Sequence, residues 1–329
     1  MPAETASPSQ PTPRSSLPDT AAPPKRTPAF HHRVLGGVRA AAGRGRGYEP
    51  QPVGRHFDET PLRGYVIDFR AKTVAGTAAT PAQLSPAALA QLALGWWERV
   101  IEGEPNLLPR FLETTDLLRG AATRTPYGPL WPYDADLPKY GLEAPWYSAM
   151  AQGQVASVFA RASATTNDPA DAALAIAAIQ PLLRPSVPRL VAQTAEGPVL
   201  EEAPSDRPSR ILNGWIFALV GLQEVGAGLR DAEAAEAFAE GIATLERTLP
   251  RYDVGWWSRY SLYPHRFVDL AKPFYHRLHV AQLDALYRLT GVAAFAETSA
   301  RWAAYDRPIP RSRALAQKAI FRIFRGVPE

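Results

Sequence analysis

From residue 85 onward, apolar side chains recur every three or four positions, in stretches separated by a few loop residues. That spacing gives a helix one apolar face. A chain with many such stretches and short connections must pack its helices against one another, because each face has to be buried. Ser85 and Pro86 read as an N-cap followed by proline at the first helical position, and Leu89, Leu92, Trp96 and Val100 then line one side. Leu108, Phe111 and Leu112 mark a second helix, which faces the first across a short Gly-Glu-Pro loop. Met150, Gln154, Val158 and Ala162 lie along another, and Asp168 with Pro169 caps an Ala-rich helix through Ile179. Further helices are expected over 209–225, 231–249, 276–290 and 293–305. Two β signals interrupt them. Residues 64–70 are β-branched and aromatic, and 187–193 with 199–202 flank a Gly-containing turn that reads as a hairpin.

The expected fold class is therefore mainly α, an (α/α) toroid or barrel-like helical domain with a small accessory β hairpin. An α-solenoid is the competing architecture. It would show a repeat of about 34–47 residues, and no such self-similarity is present.

Charge divides the chain into three parts. Residues 1–48 carry seven Lys/Arg against two Asp/Glu, and residues 307–329 carry six against one, so each end sums to +5. The whole is +4, which leaves 49–306 at 4 − 5 − 5 = −6. The first 28 positions hold eight prolines and read as disordered, followed by a basic stretch. The body, 49–306, is expected to be the folded unit, and 307–329 a basic amphipathic tail. An acidic body argues against nucleic acid as a partner, since attraction to phosphate needs a basic folded surface. Cysteine is absent, which excludes disulfide frameworks and thiolate metal sites. No apolar run approaches the roughly 18 residues of a membrane span, and the first residues lack a signal-sequence layout. A cytoplasmic location is expected. The basic ends would suit contact with the inner face of an anionic membrane, and a homodimer is compatible with this reading.

Three segments concentrate polar and aromatic groups: 201–214, 256–266 and 274–282. His276 and His279 share a helical face, but no nearby acid completes a metal triad, so no metal is expected. Trp146-Tyr-Ser-Ala-Met-Ala-Gln-Gly-Gln154, Ile211-Leu-Asn-Gly-Trp-Ile-Phe-Ala-Leu-Val-Gly-Leu222 and Tyr275-His-Arg-Leu-His-Val-Ala-Gln-Leu283 together resemble the C-terminal catalytic domain of the D-glucuronyl C5-epimerases. The resemblance covers roughly residues 60–306. It implies an (α/α) toroid that inverts C5 of glucuronate within an anionic uronic-acid polysaccharide, giving iduronate, without a cofactor.

That resemblance implies Glu202, Tyr260 and Tyr275 as catalytic groups, with Glu202 and Tyr275 serving opposite faces of the sugar ring. Two-base inversion needs proton-transfer groups on both faces and donors or cations at the carboxylate. Arg266, Arg259, Asn213, His276 and His279 are the expected substrate-binding residues, with Arg266 the counterpart of the family's arginine. Where the family carries a tyrosine after its paired glutamates, this chain has Ala203, and Tyr263 could fill the space. Competing readings are a uronate lyase, which begins with the same proton removal, a toroid glycosidase pairing Glu202 with Asp253 or Asp206, and a non-catalytic glycan-binding relative.

Overall fold

A computed structural model describes residues 85–101, 104–185 and 189–325. The Pro-rich segment, the body's expected start at residue 49 and the strand expected at 64–70 lie outside the described residues. Among the described residues the fold is mainly α with two small hairpins.

Local chemistry sets the helix starts. Helix α1 (Pro86–Ile101) begins where Ser85 Oγ accepts from the Ala88 amide. Helix α2 (Leu108–Gly120) follows a 3-10 turn at Pro105–Leu107. Helix α3 (Ala149–Thr166) is capped by Ser148 and closed by Asn167 in the left-handed region at φ 57°. Asp168 caps α4 (Pro169–Leu183), and Asp231 caps α6 (Ala232–Thr248). Helix α5 (Leu212–Gly228) has no side-chain cap; its first amide, that of Leu212, instead donates to the Tyr260 carbonyl at 3.1 Å. Helices α7 (Pro273–Thr290), α8 (Ala293–Tyr305) and α9 (Pro308–Arg325) complete the set.

The hairpin expected at 187–193 and 199–202 is present with shifted ends, residues 187 and 188 lying outside the described residues. Strands β3 (Val191–Thr194) and β4 (Gly197–Leu200) pair antiparallel, Val191 opposite Leu200. Gly197 turns the chain at φ 127°, and a Cβ there would meet Thr244 Oγ1 at 2.4 Å. A second hairpin, β1 (Thr123–Thr125) with β2 (Gly128–Leu130), was not anticipated. Helix α4 runs past Ile179 despite Pro181. Helix α7 starts at Pro273, three residues before the expected start, which puts Tyr275 in its first turn.

Helices α1, α3, α5 and α7 touch in succession, and α2, α4, α6 and α8 each stack on the helix before them. This is the helical-hairpin unit of (α/α) architectures. Among the described residues the extensive contacts run along this row and do not join α7 back to α1. The tightest crossing is α3 on α5. A Cβ on Gly153 would lie 2.7 Å from Ala218 Cα, and one on Gly221 would lie 2.3 Å from the Gly153 carbonyl oxygen. Backbone meets backbone there, so both helices are buried nearly all round, and an Arg161–Glu224 ion pair also ties them. Two of the stretches that carry the family resemblance are thus partly packing motifs.

The tail is a packed helix. Ala314 of α9 joins Trp257 and Leu270 in a small core, Arg313 stacks 4.0 Å over Trp256, and Phe321 is buried. On its other side, Ile309, Leu315, Ile320, Ile323 and Phe324 are exposed. Among the described residues no helix is long and apolar enough to cross a membrane.

Candidate active site

The first-layer helices α1, α3, α5 and α7 all present their N-terminal ends to one region. The chain leaving β4 threads between them. Glu201 and Glu202 follow directly on β4, and their side chains go to different partners. Glu201 turns inward and is 1% exposed. Its amide donates to the Leu190 carbonyl, and its own carbonyl accepts from Ala149 at the start of α3. Its carboxylate accepts from Ser209 N at 2.7 Å, from Ser209 Oγ at 2.5 Å and from Arg210 N at 3.2 Å. Burial raises its pKa to about 7 in spite of those donors. Glu201 therefore closes the 201–210 loop.

Glu202 turns the other way, onto the first turn of α5. The hydrogens of Gly214 face it so closely that a Cβ there would stand 2.0 Å from Glu202 Oε2 and 2.7 Å from Glu202 Cβ. Tyr133, stacked on Trp146 at 4.2 Å, faces the same carboxylate; burial first and the Glu202 charge second push its phenol up. Ser85 and Ser148, the caps of α1 and α3, bond that phenol. Tyr133 was not anticipated as a site residue.

Tyr260 and Tyr275 meet edge to face, with ring centroids 4.9 Å apart. Burial, then the charge of Glu202, then Tyr275, Tyr140 and Asp269, raise the Tyr260 phenol well above its ordinary range. Glu202, Tyr260 and Tyr275 are thus brought together. Tyr260 is fixed through its backbone: its amide donates to Asp269 O at 2.7 Å, and its carbonyl accepts from Leu212. Ala203 lies in a small apolar cluster with Tyr140 and Ile211, against which Tyr260 and Tyr263 pack.

The cations facing Tyr260 are lysines. Lys139 Nζ lies 4.5 Å from its ring centroid and Lys318 Nζ 5.4 Å. Both also bind Asp269, at 2.9 Å and 2.5 Å. Against the effect of burial, the two lysines hold the Asp269 carboxyl below the usual range. Arg266, expected from the resemblance as the family arginine's counterpart at the substrate, is exposed, with its guanidinium 5.4 Å from the Phe267 ring. Burial lowers the Arg259 pKa, and Tyr252, Arg251 and Asp269 act on its charge.

His276 and His279, expected to bind substrate, are fully buried. His276 Nε2 donates to the Trp302 carbonyl at 3.0 Å, since a carbonyl can only accept. Its Nδ1 therefore accepts, from Ser258 N at 3.3 Å and facing Ser258 Oγ at 2.8 Å; His279 Nδ1 lies 3.1 Å from the same hydroxyl. Trp257 stacks on His276 at 3.8 Å. Burial lowers His276 to about 4, and burial with the neighbouring His276 holds His279 well below the ordinary imidazole range. Both stay neutral and pin the Tyr260 segment to α7 and α8. Asn213, in the first turn of α5, is buried; its carbonyl accepts from Gln282 Nε2 at 3.1 Å, while its Oδ1 has no hydrogen-bond partner among the described residues. Asp253 is taken by Arg301 and Tyr305, and Asp206 by Tyr263 and its own loop.

Residues 128–304 match the family described as D-glucuronyl C5-epimerase C-terminus. An uncharacterized protein of Methanocaldococcus jannaschii is 28% identical over 178 residues, 53% of this chain and 56% of that protein. The D-glucuronyl C5-epimerase of Caenorhabditis elegans is 30% identical over 179 residues, 49% of this chain and 29% of that protein. The chain thus spans about half the length of the first of these relatives and less of the second.

Proposed function

Because the chain belongs to the D-glucuronyl C5-epimerase C-terminal family, we propose that it inverts C5 of glucuronate residues in a polysaccharide, giving iduronate. The observation that carries this reading is the convergence of Glu202, Tyr260 and Tyr275 at the N-terminal ends of α3, α5 and α7. The C5 hydrogen lies next to a carboxylate. When it leaves as a proton, the C–H electron pair spreads onto the carboxylate oxygens. Helix N-termini and ammonium groups favour negative charge at that point. A second group then delivers a proton to the opposite face of C5, and the configuration is inverted.

Glu202 and Tyr275 serve the two faces in this scheme, with Tyr260 between them electrostatically. Carboxylate and phenol have unequal pKa values, which suits one group to take the proton and the other to return it. Asn213 Oδ1, with no hydrogen-bond partner among the described residues, would accept from a sugar hydroxyl. His276 and His279 act by positioning. No cofactor is part of the scheme. The acidic body favours an unsulfated or sparsely charged polymer, held by local cations. The exposed apolar side of α9, beside exposed Arg313, would lie against an anionic membrane; failure to bind anionic vesicles at low salt would remove that part.

The test is incubation with unsulfated glucuronan-type polymers in heavy water, read by NMR for deuterium at C5. Wild-type protein should introduce it, and Tyr275→Phe and Glu202→Gln should lower the rate at least a hundredfold. Wild-type exchange rates in both variants would refute the assignment. Accumulation of an ultraviolet-absorbing unsaturated end would mean elimination instead.

A further inference from the structure

Among the described residues, the charged side chains around the Tyr260 ring come from four separate parts of the chain. Glu202 follows β4. Lys139 sits in the 3-10 turn Pro138–Tyr140. Asp269 lies in the loop before α7, and Lys318 lies two-thirds of the way along α9. Lys139 and Lys318 side chains are only 10% and 6% exposed, and Asp269 is 0%. Burying three charged groups so deeply is costly unless they pair. A single carboxylate shared by two ammonium groups leaves one positive charge in excess. That excess stands over the Tyr260 ring and offsets Glu202, so the four groups sum to zero. Ser261 Oγ donates to Asp269 at 3.0 Å and, with the Tyr260 amide on Asp269 O, ties the hub to the tyrosine's own backbone.

We propose that Lys318, with Lys139, is a positioning residue for Tyr260: the Lys139–Asp269–Lys318 hub sets the charge on the tyrosine's ring face, and α9 is thereby an integral part of the active unit. The inference rests on the epimerase reading for its kinetic consequences and on geometry for the hub itself. Burial first, then Glu202, Tyr275, Tyr140 and Asp269, oppose the ionisation of Tyr260; the two ammonium groups over its ring carry the opposite charge and should favour it. Neutralising Lys318 leaves the surroundings one unit negative. The Lys318 ammonium stands 5.4 Å from the Tyr260 ring centroid, and loss of a nearby charge shifts a phenol by about one pH unit, so the phenolate population should fall about tenfold at a given pH.

The experiment uses the full chain as Lys318→Met and Lys318→Arg. Deuterium incorporation at C5 is followed across pH with the unsulfated polymer. In parallel, fluorotyrosine-labelled protein is examined by fluorine NMR, with the Tyr260 resonance assigned through Tyr260→Phe. Lys318→Met should move the kinetic limb belonging to Tyr260 upward by about one pH unit and displace the Tyr260 fluorine resonance. Lys318→Arg, which keeps the charge, should hold both near wild type. A uniform drop in rate with an unmoved limb and an unmoved resonance would overturn the proposal. If the wild-type protein exchanges no C5 hydrogen, the epimerase reading falls, and the fluorine measurement decides the hub by itself: a resonance moved by Met and restored by Arg supports it, and one that ignores both refutes it.

Discussion

Gly214 offers the sharpest test of how the carboxylate is held. Replacing it with alanine adds one methyl group in the first turn of α5. That methyl would stand 2.0 Å from Glu202 Oε2 and 2.7 Å from both Cβ and Cδ. To restore even a tight 3.0 Å contact the carboxylate oxygen must retreat by 3.0 − 2.0 = 1.0 Å. The stability terms oppose each other: alanine gains about 1 kcal/mol over glycine inside a helix, and forcing close-packed neighbours apart costs about 1–3 kcal/mol. Net loss should therefore fall between about 0 and 2 kcal/mol, and the variant should fold. Catalysis should suffer far more, because a displacement of about 1 Å costs on the order of a hundredfold. Urea denaturation gives the first quantity, and deuterium incorporation at C5 under saturating polymer gives the second. Gly228→Ala, in the last turn of the same helix with nothing within 4 Å of the added Cβ, should leave the exchange rate unchanged and raise stability by up to about 1 kcal/mol. A Gly214→Ala protein that exchanges at the wild-type rate would sink the idea that Glu202 acts from this position.

Three other outcomes follow. Gly153→Ala or Gly221→Ala should destabilise by at least about 1–3 kcal/mol, seen as a lowered urea midpoint, because backbone occupies the space on the other side. Glu201 binds its proton more tightly folded, at about 7 against 4.5. Its contribution is therefore present below pH 4.5 and is lost as pH rises toward 7. His276, lowered from 6.5 to about 4, has the opposite slope: its contribution is present above 6.5 and is lost as pH falls through 4. Glu201→Gln should consequently unmask the histidine term, so that urea stability climbs with pH between about 4 and 6.5; an unchanged profile would refute the assignment of these slopes.

Caps, prolines and three-four spacing made most helices legible, because those signals are local. Asp168 and Asp231 do what short-range chemistry says they should. Pro181 did not end α4, since packing overrode a local penalty. The β1–β2 hairpin left a faint trace in Pro126-Tyr127-Gly128, where only the glycine's φ of 110° marks the turn. Within the site, the different partners of Glu201 and Glu202 were readable only after the strand was fixed. Lys139 and Lys318 were not readable at all: they stand 179 residues apart and meet on one aspartate. The histidines resembled ligands in the sequence because periodicity reports which side of a helix a residue occupies. It says nothing of what lies opposite, which here is Ser258 and Trp302.

The bare crossing of α3 and α5 has a thermal consequence. Glu202 is braced at Gly214 on one of these helices, and the preceding carbonyl is bonded at Ala149 on the other. With no side chain between the two backbones at Gly153 and Gly221, the bracket has no rotamers to loosen on warming. Its geometry should hold until the whole domain melts, so heat inactivation and cooperative unfolding should coincide in one transition.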